Sequence, residues 1–83
     1  MDEEFKRLTL AFKVDFLINY GEYISEIKYY GFLVELYILE GHYIEMFYNI
    51  HSREVEEVEL LDPMERRLAL YAIDVDISSI FNA

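Results

Sequence analysis

The chain has 83 residues, 17 acidic side chains against 7 basic ones, a formal net charge of −10 and no cysteine. That length limits it to one domain, residues 1–83, with a small core. The charge opposes binding to a nucleic-acid backbone or an anionic membrane, and the missing thiols exclude disulfides and thiolate-held metals. A hydrophobic fraction of 54%, with 8 tyrosines and 6 phenylalanines, is enough to drive folding. No apolar run approaches the ~18 residues of a membrane span. The opening Asp2-Glu3-Glu4 is not the basic start of a secretory signal, so the expected setting is cytoplasmic.

Residues 3–19 predict one helix. Phe5, Leu8, Phe12 and Phe16 fall on one stripe, widened by Leu17, with Asp2 as N-cap and Gly21 just past the last turn. Val14, Leu10 and Ile18 add apolar surface beyond what a helix with one buried face requires, which predicts a clasp on two sides or contact with another chain. Residues 22–29 alternate as a strand, and Tyr30-Gly31 forms a turn.

The stretch Phe32–Tyr48 predicts a β-hairpin. Phe32, Val34, Leu36 and Ile38 share one face of its first strand, and Ile44, Met46 and Tyr48 are the matching set on its second. Placing both sets on one inner face calls for a three-residue loop, Leu39-Glu40-Gly41, because a two-residue Glu40-Gly41 turn would set Leu36 against Glu45. Asn49–Arg53 reads as a polar loop and residues 54–61 as a fourth strand, with Ile44 paired to Val58. Asp62-Pro63-Met64-Glu65 has an N-cap acid, a proline at the first helical position and a glutamate at the third. It opens a helix to about residue 73, with Met64, Leu68, Tyr71 and Ala72 on one side and Arg66 and Arg67 outside. The apolar tail, Ile77, Ile80 and Phe81, docks on the core as a short turn.

These elements predict an α+β fold: helix, four-stranded antiparallel β-meander, helix, in two layers with both helices on one sheet face. The registers place Glu26, Glu35, Glu45 and Glu57 in a row across the uncovered outer face, with Glu59 beside it and Leu33, Tyr37, Tyr43 and Phe47 along its edges. Glutamates directly opposed across strands destabilise the sheet, by about 1 kcal/mol per pair in water. Aromatics around a charged centre suit an interface with a basic protein, with solvated acids as the plain alternative. The expected function is therefore a non-enzymatic, acidic protein–protein interaction module of inhibitor, antitoxin or immunity type. A homo-oligomer formed through the first helix or the aromatic edge is one alternative. A domain binding a cation or small ligand through the glutamate row is another. No cofactor, catalytic residue or metal site is expected. His42 and His51 lack ligand geometry, and no nucleophile turn or calcium loop occurs.

The run Tyr43-Ile44-Glu45-Met46-Phe47-Tyr48-Asn49, the later Val58-Glu59-Leu60-Leu61 and the closing Ile73-Asp74-Val75-Asp76-Ile77-Ser78 resemble short uncharacterised bacterial proteins. Those share an aromatic-Val-Glu-aromatic hairpin and an Ile-Asp-Ile-Ser ending. The resemblance spans roughly residues 22–81 and implies no activity or site residue.

Overall fold

The computed structural model describes residues 2–71. Helix α1 spans Asp2–Arg7 and α2 spans Leu10–Tyr20. Strands β1 (Glu22–Tyr29), β2 (Phe32–Leu39), β3 (His42–Asn49) and β4 (Glu54–Leu60) follow in a four-stranded sheet of order β1-β2-β3-β4, each pair antiparallel. Residues 66–71 form a third helical segment, α3. The α+β class and the meander match the sequence reading. The expected helix end near residue 73, Ala72 and the tail with Ile77, Ile80 and Phe81 lie outside the described residues.

The expected single N-terminal helix is two. Thr9 adopts an extended backbone (φ −68°, ψ 162°), and its hydroxyl accepts a hydrogen bond from the Phe12 backbone N–H at 3.3 Å. A threonine hydroxyl satisfies an orphan donor best at a helix start, so Thr9 restarts the helix rather than continuing it. The break takes Phe12 off the core stripe. Phe12 is 65% exposed, whereas Phe5 and Leu17 are fully buried. Gly21 closes α2 in extended conformation by donating its N–H to the Leu17 carbonyl at 2.8 Å. A Cβ at this position would lie 2.6 Å from that same oxygen, so the close approach requires glycine.

The β1–β2 and β2–β3 hairpins close by two-residue turns with positive φ at both positions: Tyr30 (49°) and Gly31 (84°), then Glu40 (49°) and Gly41 (80°). This turn geometry matches the right-handed twist of the flanking strands. At Tyr30-Gly31 it agrees with the sequence reading. At Glu40-Gly41 it replaces the expected three-residue loop, and the register moves: Leu36 faces Glu45, Glu35 faces Met46 and Val34 faces Phe47. The premise that all apolar side chains share one face fails, because both faces of the sheet are covered.

The front face carries Leu39, Ile44, Met46 and Val58, packed against Phe5 of α1 and Leu17 of α2. The back face carries Val34, Leu36, Phe47 and Leu61, packed against Tyr71 of α3 with Leu68 beside it. The N-terminal helices and α3 therefore lie on opposite sides of the sheet, which corrects the two-layer arrangement with both helices on one face. A register shift between Phe47 and Tyr48 lets β4 bulge at Glu56, so that Glu57 faces Phe47 and Glu59 faces Glu45.

The 62–65 turn keeps its expected cap, with Asp62 Oδ1 accepting from the Met64 N–H at 2.9 Å, but regular helix begins only at residue 66. Met64, placed with Leu68 and Tyr71 on one side of the expected helix, is 88% exposed. Asn49 organises the 49–53 loop, its Oδ1 accepting from the N–H groups of His51 (2.8 Å) and Ser52 (3.0 Å).

Candidate functional site

The expected row of four glutamates does not form. Glu26 and Glu35 pair directly on the front face, as the sequence registers require. Glu35 and Glu45 fall on opposite faces, because the two-residue turn pairs Glu35 with Met46 and Glu45 with Leu36. Of the predicted surface, Glu26, Leu33, Glu35 and Tyr37 remain together on the front. Tyr43, Glu45, Phe47, Glu57 and Glu59 lie on the back, where Phe47 is core and Tyr43 packs against it.

On the front face, α2 leaves the β1 side of the sheet open. Tyr23 donates its hydroxyl to Glu26 Oε1 at 2.8 Å, and Tyr37 donates to Glu35 Oε1 at 3.3 Å. The two tyrosine rings meet edge to face at 5.7 Å. Burial, then hydrogen bonding to Glu26, pushes the Tyr23 hydroxyl up to about 12, and burial with the Glu35 charge raises Tyr37 as well. Both therefore remain protonated donors at neutral pH. Among the described residues no cation lies within ion-pair distance of Glu26 or Glu35. The result is a carboxylate pair, aligned by two phenols, with Leu33 alongside as apolar floor.

On the back face, Glu45 has no solvent exposure. Arg67, expected on the outer surface, instead reaches inward from α3. Its Nε lies 3.1 and 3.2 Å from the two Glu45 oxygens and its Nη2 lies 2.9 Å from Oε1. The Tyr71 hydroxyl, one turn later, donates to Oε2 at 2.9 Å. The guanidinium sits 5.9 Å from the Tyr29 ring centroid and 5.8 Å from that of Phe47. Glu59 and Glu65 each approach Arg67 at 3.9 Å. Sequence reasoning missed this cluster because Glu45 lies 22 residues from Arg67 and 26 from Tyr71 in sequence. The available signal was the pair Arg67 and Tyr71, one helical turn apart, together with a lone carboxylate inside an apolar strand.

Two pH-dependent properties follow. Burial, reinforced by Glu57, raises the Glu59 carboxyl above its usual range, so the native state binds that proton more tightly than the unfolded chain. Ionised Glu59 thus costs stability at neutral pH, and the cost disappears as pH falls through the raised value. Glu59→Gln is expected to raise the midpoint of urea unfolding at pH 7 and to match the native chain in acid. Burial, then the charge of Glu45, raises the Tyr71 hydroxyl far above 10.0. Its contribution is complete below the unfolded value of about 10 and declines as pH rises above that. Tyr71→Phe is expected to remove this part of the alkaline loss, read as a smaller fall in melting temperature between pH 9 and about 11.

Two further surfaces stand out. An open groove of about 840 Å³ follows the free side of β4, with Phe5, Lys6 and Leu10 on one wall and Glu57, Glu59 and Asp62 on the other. Helix α2 exposes Phe12, Ile18 (62%) and Tyr20 (72%). Among the described residues no group of three or more His, Cys, Asp or Glu is placed to hold a metal, and no helix is long and apolar enough to cross a membrane. No protein-family model, curated protein or solved structure matches the chain.

Proposed function

We propose that the chain is a non-enzymatic binding module for a basic protein partner, anchored at the front-face site of Tyr23, Glu26, Leu33, Glu35 and Tyr37. The observation that carries this reading is the Glu26–Glu35 pair. Two like charges face each other across neighbouring strands, with no described cation within ion-pair distance of either and Lys28 one pair further along the same face. A lysine or arginine from a partner would neutralise both carboxylates, and the two tyrosine rings would flank its stem. The net charge of −10 speeds encounter with a basic surface. The cysteine-free composition suits a cytoplasmic setting.

The test is capture on the immobilised chain from a lysate of its source cell, beside a Glu26→Gln/Glu35→Gln variant, at low and high salt. A basic protein held by the native chain, lost on the variant and released by salt is the expected result. Equal capture by both chains removes the front-face site from consideration.

Self-association is the second reading, favoured by the exposed Phe12, Ile18 and Tyr20 on a helix whose only charged residues are Lys13 and Asp15. It requires a dimer mass in sedimentation equilibrium that rises with concentration, resists salt and is lost in Phe12→Lys.

A further inference from the structure

We infer that the outer edge of β1 pairs with the same edge of a second copy of the chain, antiparallel about Ile27, so that Lys28 of each copy faces Glu26 of the other. This rests on reading the Glu26–Glu35 pair as short of a cation, and it names a second copy as the source of one.

β1 ends the sheet, no described strand lies beyond it, and Glu22, Tyr23, Ile24, Glu26 and Lys28 are exposed along it. In an antiparallel ladder alternate residues turn their N–H and C=O groups toward the neighbouring strand. The two-residue turn makes Tyr29 and Phe32 a hydrogen-bonded pair, so Tyr29, Ile27 and Ser25 bond to β2 while Lys28 and Glu26 present their backbone groups to the open edge. A twofold axis through Ile27, normal to the sheet, sets the outward groups of Glu26 against those of Lys28 of the copy. Each such pair can exchange both of its N–H···O bonds, and front face stays beside front face.

The side chains are complementary in this register. Glu26 has Glu35 on one side and gains Lys28 of the copy on the other, with Cβ atoms about 5 Å apart. Its own Lys28 stands two residues along the strand, roughly 7 Å away. Lys28 is exposed and makes no ion pair among the described residues. A lone lysine on an edge strand guards against pairing, but a glutamate two residues before it makes the edge complementary to itself. Slipping the register by two residues opposes Glu26 to Glu26 or Lys28 to Lys28, which like charges resist. The same register sets the exposed Ile24 of one copy beside the exposed Tyr30 of the other. The opposite edge of the sheet lacks this property: β4 carries Glu54, Glu56, Glu57 and Glu59 with no cation, so it repels its own copy. The net charge of −10 opposes association at long range, and physiological salt screens that repulsion beyond about 8 Å.

The test is a charge swap in the full chain, read by sedimentation equilibrium at about 0.15 M salt. The native chain is expected to form a dimer whose mass rises with concentration and is unchanged in Phe12→Lys. Glu26→Lys and Lys28→Glu each oppose like charges and are expected to weaken it about tenfold or more. An equimolar mixture of these two variants pairs every lysine with a glutamate of the other chain, and is expected to regain the native affinity, which also shows that both variants fold. Since the chain has no cysteine, Ile27→Cys adds an independent readout. Directly opposed Cα atoms about 4.5 Å apart are close enough for a disulfide, so oxidation is expected to link two copies, while Glu22→Cys at the far end of the strand stays single. A native chain that stays monomeric, a dimer that neither swap weakens, or a mixture that fails to associate overturns the inference. None of these results removes the Glu26–Glu35 pair as a site for a basic protein, which the lysate capture decides separately.

Discussion

Arg67→Ala is expected to lower the free energy of unfolding by about 3 kcal/mol, measured by urea denaturation at pH 7. The loss arises chiefly from what the substitution leaves behind. Glu45 lies fully buried on the back face, and without the guanidinium its carboxylate keeps, among the described residues, only the Tyr71 hydroxyl as a side-chain partner. Breaking a buried pair on one side costs about 3–5 kcal/mol, and the low end applies because Arg67 itself retains 24% exposure. The double replacement Glu45→Leu/Arg67→Met separates this from lost packing. It removes both charges at similar volume and is expected to recover most of the stability. A double variant as unstable as Arg67→Ala would show that the arginine acts through its aliphatic contacts with Tyr29 and Phe47 instead.

Leu17→Ala is expected to cost about 2–5 kcal/mol, while Phe12→Ala is expected to stay within about 0.5 kcal/mol. The two residues belong to one apolar set in the sequence, and the structure separates them. Leu17 has no exposure and packs against Leu39, Ile44, Met46 and Val58, so truncation opens a cavity between α2 and the sheet. Phe12 stands in solvent one turn after the Thr9 cap. Parallel urea titrations of the two variants measure the difference. A costly Phe12→Ala would place that ring in an interface.

What the sequence revealed was local. Strands β1 to β3, the Tyr30-Gly31 turn and the Asp62 cap each rest on neighbouring residues, and so does the Glu26–Glu35 pairing that spans one tight hairpin. The Glu40-Gly41 turn was misread because sorting side chains into one dry and one wet face assumes a sheet covered on one side only. Phe32-Leu33-Val34-Glu35-Leu36-Tyr37-Ile38-Leu39 is apolar at nearly every position, which is the signature of a strand covered on both sides. Read in that way, it predicts helices on both faces and leaves Glu45 inside. The charge partner of Glu45 was less accessible, since nothing in the local pattern around Arg67 distinguishes a solvated arginine from one that reaches back to a strand. The break at Thr9 was concealed by an apolar spacing that continues across it.

The tie between Glu45 and Arg67 has a kinetic consequence. Each strand of the meander pairs with its neighbour in sequence, and two of the three connections are two-residue turns. Such contacts close small loops and favour a fast, hairpin-led transition state. The Arg67–Glu45 contact closes across 22 residues, and both groups must shed water before it forms. A contact of that kind is made late, after the rate-limiting step, so its strength appears in the unfolding arm of a chevron plot and sets how long the native chain survives.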